Sequence, residues 1–300
     1  ETWTVAGVGL AGFFTAEARP DPIQAIAENT NEVFVFGSTN LQIYTTDPQY
    51  AFSPVATVES GLIAPYSVIK TDQGFAWLDH HRRFIESDGR QMKDISDSNI
   101  GDIDTVNDCF GYRVNVDPID CYVWTFPTDG RTFAYQRGVG WGQWQGWNWT
   151  QNNWKQLSVN CHAHDKTRDI NFVGTSDGHV GHFDMSSAYD FSDKINAVVE
   201  TGYDDRGTDR RKHCKAVKLV LKRGTVSDAT RPVGFLQYSD EPGYWSEPFY
   251  VDFGTSGDTS PVVSLRGLGT YRRRAWRFTF SESSDFLLVR ATEEYEVLEV

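Results

Sequence analysis

The 300-residue chain has no stretch of 18 apolar residues and no sustained helical period, which excludes a membrane-spanning helix and a helical domain. Methionine is nearly absent, with two residues, and cysteine is sparse, with four. Cys109, Cys121, Cys161 and Cys214 form no C-x-x-C pair, and three of them fall in strand-like runs. Buried free thiols are therefore expected, as in a protein assembled in a reducing compartment. Positive charge is also short: 28 Lys and Arg stand against 41 Asp and Glu, a net charge of −13. A general nucleic-acid binder needs clustered cations to displace counterions from phosphates, so that class is disfavoured. No signal-peptide pattern is present. The chain opens at Glu1 with strand-like Thr2–Val5 already under way, which reads as a fragment or a processed product.

What the chain has in quantity is aromatic residues, 14% of the sequence with ten Trp. They suit sheet packing, where rings cover neighbouring strands. The segment from Asp120 to Trp149 organises the rest. Cys121–Phe126 is apolar, aromatic and β-branched, Pro127–Gly130 is a turn, and Thr132–Tyr135 is a second apolar run. Asp-Gly between two such runs predicts a β-hairpin, because Gly accepts the positive φ of a tight turn. The same unit recurs at Glu32–Asp47, Gly74–Gly89 and Asp169–Asp184. Each copy follows one more strand-like run: Ile23–Asn29, Tyr66–Asp72, Cys109–Asp117 and Ser158–Asp165. With Val33, Phe75, Tyr122 and Ile170 as equivalents, the spacings are 42, 47 and 48 residues. A meander repeating every ~40–50 residues is the signature of propeller blades, which must stack side by side to bury both faces.

The expected fold is all-β: a β-propeller over 22–202 with four or more blades, then a small β-sandwich-like domain over 213–300. Residues 1–21 read as the remnant of an N-terminal blade or edge. Residues 48–63 read as an irregular connector, and the acidic Asp88–Asp108 as a long excursion from one end of the ring. The charged, Gly-containing Glu200–Lys212 marks the domain boundary. Beyond it, Val217, Leu219 and Leu221 alternate with Lys218, Val220 and Lys222 as one strand.

Few motifs carry chemistry. Gly174–Gly178 matches G-x-S-x-G, but strands flank it on both sides, so it reads as a hairpin turn rather than a nucleophile elbow. His162 and His164 form an H-x-H pair that could hold a metal. His179 and His182 lie a strand further on, about 10 Å of sheet away, so ordinary surface or interface histidines are expected. Asp97–Asp102 resembles part of a calcium loop without its closing glutamate. Thr128–Phe133 resembles an Asp-box turn one residue short, and it occurs once. No metal, cofactor or catalytic set is expected.

Two surface features remain. Residues 138–154 hold five of the ten Trp, either as an aromatic platform for sugar or protein, or as an outer blade strand whose rings cover its neighbours. Arg206, Arg210, Arg211, Lys212, Lys215, Lys218, Lys222 and Arg223 form a positive field, with Arg272, Arg273, Arg274 and Arg277 as a second. They read either as a solvated face or as a subunit contact against an acidic neighbour. The interface candidates are Arg210, Arg211, Lys212, Arg272, Arg273, Arg274, Trp141 and Trp144.

Glu32–Gly37, Ala64–Val68, Phe75–Leu78, Thr125–Pro127 with Thr132–Tyr135, and Asp177–Asp184 follow one another in order. Together they resemble the packaged-DNA stabilisation proteins, or tail accessory factors, of short-tailed bacteriophages, over about residues 25–190. The resemblance implies a β-propeller assembled as a homo-hexameric ring in the virion tail, put together in the host cytoplasm. Such a ring would sit beneath the portal and its adaptor, close the channel after packaging, and carry distal needle or fibre proteins. Double-stranded DNA would pass without specific binding. No catalytic residue or cofactor carries over, because the family has none, and family members are longer at the N-terminus. The alternatives are a glycan- or receptor-binding propeller of a virion or cell surface, using the Trp run, and a glycosidase-like propeller with clustered carboxylates.

Overall fold

The computed structural model describes residues 21–47, 51–97, 103–116, 119–148, 153–184, 187, 189–191, 193–223, 233–254, 260–281 and 286–299. Every regular element among them is a β-strand. Two compact units share the chain, one of residues 1–145 and 155–184, the other of residues 146–154 and 185–300.

The first unit is built from the predicted meanders. Strands β1 (Ile23–Asn29), β2 (Glu32–Gly37), β3 (Leu41–Asp47) and β4 (Ala51–Val58) pair in order as one antiparallel sheet. A second sheet holds β5 (Ile69–Lys70), β6 (Phe75–Leu78), β7 (Phe84–Ser87) and β8 (Met92–Asp94). The third holds β9 (Phe110–Val116), β10 (Ile119–Phe126), β11 (Arg131–Gln136), β12 (Gly140–Asn148) and β13 (Asn153–Gln156), and the fourth β14 (Val159–Asp165), β15 (Ile170–Thr175) and β16 (Val180–His182). Val33, Phe75, Tyr122 and Ile170 each lie on the second strand of a separate sheet. These are four consecutive propeller blades.

Alternation along each second strand explains how the blades stack. Phe34, Phe36, Leu41 and Ile43 of the first sheet cluster with Phe75, Trp77 and Ile85 of the second. The opposite face of the second sheet, with Ala76, Leu78 and Phe84, meets Tyr122, Trp124, Phe126 and Phe133 of the third. The other face of the third, with Cys121, Val123 and Ala134, meets Val159 and Val173 of the fourth. Period-two side chains thus feed two cores in the second and third blades, and a one-residue slip in either register would exchange them. At the second interface the backbones themselves touch. Gly111 N donates to Tyr66 O at 2.8 Å, and a Cβ on Gly111 would lie 2.7 Å from Ser67 O and from the Ile69 side chain. The hairpin turn at Pro127–Gly130 closes with Gly130 N donating to Pro127 O at 3.3 Å, and Gly130 has φ 66°.

Two expectations for this unit change. Residues 48–63 are not simply a connector, because 51–58 form β4. Pro54 sits opposite Tyr44 at a register shift in β3, a bulge on an edge strand where a residue without N–H is tolerated. Nor is 88–108 all excursion: Met92–Asp94 is the fourth strand of its blade, and Ile95, Ile103, Val106 and Cys109 are buried in the core between second and third blades. The calcium-like segment falls mostly on 98–102, and the expected N-terminal remnant on 1–20, both outside the described residues.

Asp21 pins the β2–β3 turn. It accepts the backbone N–H groups of Ser38, Thr39 and Asn40 at 2.9, 2.7 and 3.1 Å, and the Ser38 hydroxyl. Partial burial raises its pKa, but these donors outweigh it and bring the carboxyl from 3.8 down to about 2. A depressed carboxylate pKa stabilises the fold above the unfolded value, and that contribution is lost as pH falls through the folded one. Asp21→Asn is therefore expected to cost about 1–2 kcal/mol at neutral pH, after allowance for solvent around the group. The cost should shrink between pH 4 and 2, so the acid limbs of the two proteins' stability curves converge there; parallel limbs would refute this role.

The second unit is a β-sandwich beginning with a hairpin of β17 (Tyr189–Asp190) and β18 (Asp193–Lys194). One sheet has the order β19-β25-β21-β22, with β19 Ala197–Glu200, β21 Val233–Ser239, β22 Phe249–Asp252 and β25 Ala275–Phe280. In the other, β20 (Lys212–Arg223) pairs with β23 (Val262–Leu265), β24 (Thr270–Tyr271) and β26 (Phe286–Val297). Val217, Leu219 and Leu221 face Leu236, Val251, Phe278 and Phe280 across the core, with Cys214 among them. The change of unit differs from the one expected at 200–212. Ala197–Glu200 already pairs with β25, and the charged stretch continues beside it, with Thr201 N donating to Trp276 O and Asp204 N to Arg274 O.

Candidate functional site

The basic residues of the second unit divide sharply between frame and surface. Lys212 is wholly buried, its Nζ donating to the carbonyls of Thr208, Arg210 and Arg272 at 2.6, 2.9 and 2.7 Å. Arg274 is 2% exposed. It grips Asp240 through Nε and Nη2 at 2.6 and 2.8 Å, donates Nη1 to Leu268 O at 2.6 Å, and lies over the rings of Tyr238 and Tyr271. Both were interface candidates; both are internal struts. A buried cation survives only when its donors are satisfied, and these are.

The frame brings two distant segments together. Lys212 is opposite Tyr271 in the β20–β24 pair, and Arg272 Nη1 donates to Asp209 O at 2.8 Å. Arg210, Arg211, Arg272 and Arg273 are exposed around that junction. Arg273 lies over Tyr203, 5.8 Å from its ring centre. The remaining basic residues are largely neutralised nearby: Arg206 by Asp204 and Glu293, Lys215 by Glu296, Lys218 by Glu294, and Arg277 by Glu200. Four exposed arginines around one junction of the second unit, of which Arg272 also pairs with Asp209 at 3.3 Å, are a candidate interaction surface.

The Trp run is not one platform. Trp141 packs against the core between second and third blades, touching Phe84, Trp124 and Tyr135, and its Nε1 donates to Ile95 O. Trp144 is half-buried beside the third core and meets Phe183 edge-on at 5.9 Å. These two interface candidates are blade-packing residues, as the strand alternative expected. Trp147 and Trp154 belong to the other unit and meet edge-to-face at 4.9 Å and 84°. Trp149 is outside the described residues.

Those two rings flank a groove of about 500 Å³ on the sandwich, whose floor is the outward face of β19, β25 and β21. In register, Val198, Thr279 and Phe235 form one row across the three strands, and Glu200, Arg277 and Gln237 the next. Arg277 Nε donates to Glu200 Oε1 at 2.7 Å, Gln237 Nε2 donates to Ser246 O at 2.8 Å, and Arg277 lies 3.9 Å over Trp245. Asn196, 6% exposed, also lines the groove, and its Oδ1 has no hydrogen-bond partner. The Trp run of 138–154 includes Trp147 and Trp154; the polar row comes from three strands that are not neighbours in the chain.

The remaining motifs do not assemble a reaction centre. Gly174–Gly178 spans a hairpin turn, with Thr175 N donating to His179 O and Gly178 at φ 88°. His162 stacks on Tyr112 and bonds Asn171, His164 pairs with Asp169, and His179 pairs with Asp177. No cluster of three metal-ligating side chains occurs among the described residues. Cys109, Cys121 and Cys214 are buried free thiols as expected, and burial with Glu293 nearby pushes Cys214 up to about 12. Cys161 departs from the expectation. It is exposed on the outer face of β14, opposite Gly174.

Three comparisons bear on this geometry. No curated protein matches the chain. Similar solved structures include an exo-beta-1,3-galactanase from Phanerochaete chrysosporium, at 10% identity over 90% of this chain and 67% of that one, with TM-score 0.23. Another is a glycoside hydrolase family 43 arabinoxylan arabinofuranohydrolase from Bacillus subtilis, at 8% identity over 89% and 66%, with TM-score 0.26. Superpositions that loose carry no argument about activity. Residues 9–103 match the family model described as Bacteriophage P22 Gp10, beta-propeller. The resemblance read from Glu32–Gly37, Ala64–Val68 and Phe75–Leu78 is thereby borne out, and the matched residues include the first two blades.

Proposed function

We propose that the protein is a virion structural protein of a short-tailed phage, one subunit of a tail ring that closes the portal channel and retains packaged DNA. The match of residues 9–103 to the P22 Gp10 family carries this reading. Charge agrees with it. A ring through which DNA slides must not grip phosphates, since each Lys or Arg contact adds counterion-release affinity, and the chain carries a net −13. A closed ring of identical chains needs head-to-tail contacts between different surfaces. The exposed Arg210, Arg211, Arg272 and Arg273 supply one such surface, and an acidic neighbour supplies its complement. The ring is a homo-hexamer, its partners are the portal adaptor above and a needle or fibre protein below, and its role is mechanical rather than catalytic. The test is a phage lacking this protein. Heads should fill with DNA at the normal rate and then lose it, leaving no infectious particles. Mutant particles that keep their genomes and fail only in host attachment would replace this reading with receptor binding.

A further inference from the structure

We propose that the groove on the outward face of β19, β25 and β21 binds a neutral oligosaccharide, independently of the role of the blades. Its floor is chemically mixed in a particular way. The row Glu200, Arg277, Gln237 offers a carboxylate, a guanidinium and an amide side by side, in register across three strands. The Arg277–Glu200 bond uses one Glu200 oxygen, and the bond to Ser246 O uses one Gln237 donor. The second carboxylate oxygen, the amide oxygen and the other guanidinium N–H groups are left for a ligand. Planar groups of this kind meet adjacent hydroxyls two at a time, as in other bidentate recognition.

The Glu200–Arg277 pair also cancels the floor's charge, so neither an anionic nor a cationic ligand gains from it. An apolar peptide is a poor occupant, because it would cover this polar row without satisfying it. A sugar ring matches both halves of the site, hydroxyls towards the polar row and a C–H face towards Trp154, which is 43% exposed beside Trp147. Asn196 supplies the independent sign of a missing partner. It is more than nine-tenths buried at the groove, with an acceptor that no donor satisfies, and such an atom costs stability until a donor reaches it. Rotation of its amide presents that acceptor to a ligand hydroxyl. The volume, about 500 Å³, falls within the range of small-ligand sites.

The experiment titrates the full chain with neutral tetrasaccharides of glucose, galactose, mannose and rhamnose and with one uronic-acid tetrasaccharide, by calorimetry and Trp fluorescence. At least one neutral probe should bind and quench fluorescence. Trp154→Ala should weaken it about tenfold, the effect of removing an aromatic anchor, and Gln237→Ala should weaken it similarly, both with unchanged melting. The absence of binding by any neutral probe up to millimolar concentration overturns the proposal. So does binding that survives both substitutions, or tighter binding of the acidic probe. None of these outcomes touches DNA retention, so the two readings fail separately.

Discussion

Arg274→Ala is expected to destabilise the second unit by about 3 kcal/mol, the lower end of the cost of breaking a buried ion pair. The side chain holds three structures at once. Its fork closes on Asp240, its third donor satisfies Leu268 O, and its plane fills the space beside Tyr238, Tyr271 and Trp276. Asp240 is 35% exposed in its side chain, so after the substitution water can solvate the abandoned carboxylate, and the full penalty of a stranded charge does not apply. The unsatisfied carbonyl and the cavity under three rings do remain. Arg274→Lys separates these contributions. It keeps the charge and much of the stacking but loses the planar fork, and it should retain only part of the lost stability. Urea unfolding with hydrogen exchange read at β21 and β25 reports this unit by itself. An alanine variant within about 0.5 kcal/mol of wild type, the usual span of an ordinary surface substitution, would reduce Arg274 to a surface cation.

That arginine also marks where sequence reading stops. The run Arg272–Arg274 looks like a uniform positive patch, yet Arg272 and Arg273 face solvent while Arg274, the last of the three, turns inward. Its partner Asp240 is 34 residues away, and no local pattern announces it. Lys212 was concealed in the same way, because its three acceptors are backbone carbonyls, which every residue has. Features governed by neighbours in sequence were legible instead. Asp129-Gly130 gave the hairpin turn, Val217, Leu219 and Leu221 gave the core face of β20, and the repeat of Val33, Phe75, Tyr122 and Ile170 gave four blades. The strands that escaped were the ones with the weakest local signal. Strand β4 carries Pro54 at a bulge and β8 is three residues long. The groove was half-legible: Trp147 stood out as an aromatic, while Glu200, Gln237 and Arg277 meet only once β19, β21 and β25 pair.

Trp124→Ala is expected to have the largest effect in the first unit, about 4 kcal/mol, within the usual range for truncating a buried large aromatic. The blades stack through side chains facing one another, and Trp124 stands at the middle of the second interface. It is completely buried, its ring meets Phe84 at 4.7 Å and Trp141 at 5.5 Å, and its Nε1 donates to Ser67 O at 2.8 Å. Alanine leaves a void between two sheets whose backbones are already in contact at Gly111 and Tyr66, so the gap cannot close by simple approach of the blades. Trp124→Phe should cost less, about 1–2 kcal/mol, mostly from the stranded Ser67 carbonyl and the smaller ring. Trp144→Ala should cost less than Trp124→Ala, because that ring is only half-buried at the edge of its cluster. Thermal unfolding checks the order. A 4 kcal/mol loss lowers the melting temperature by roughly 8–16 °C in a unit of this size. If Trp144→Ala proved the more damaging of the two, the outer strand of the third blade, rather than the second interface, would be what holds the propeller together.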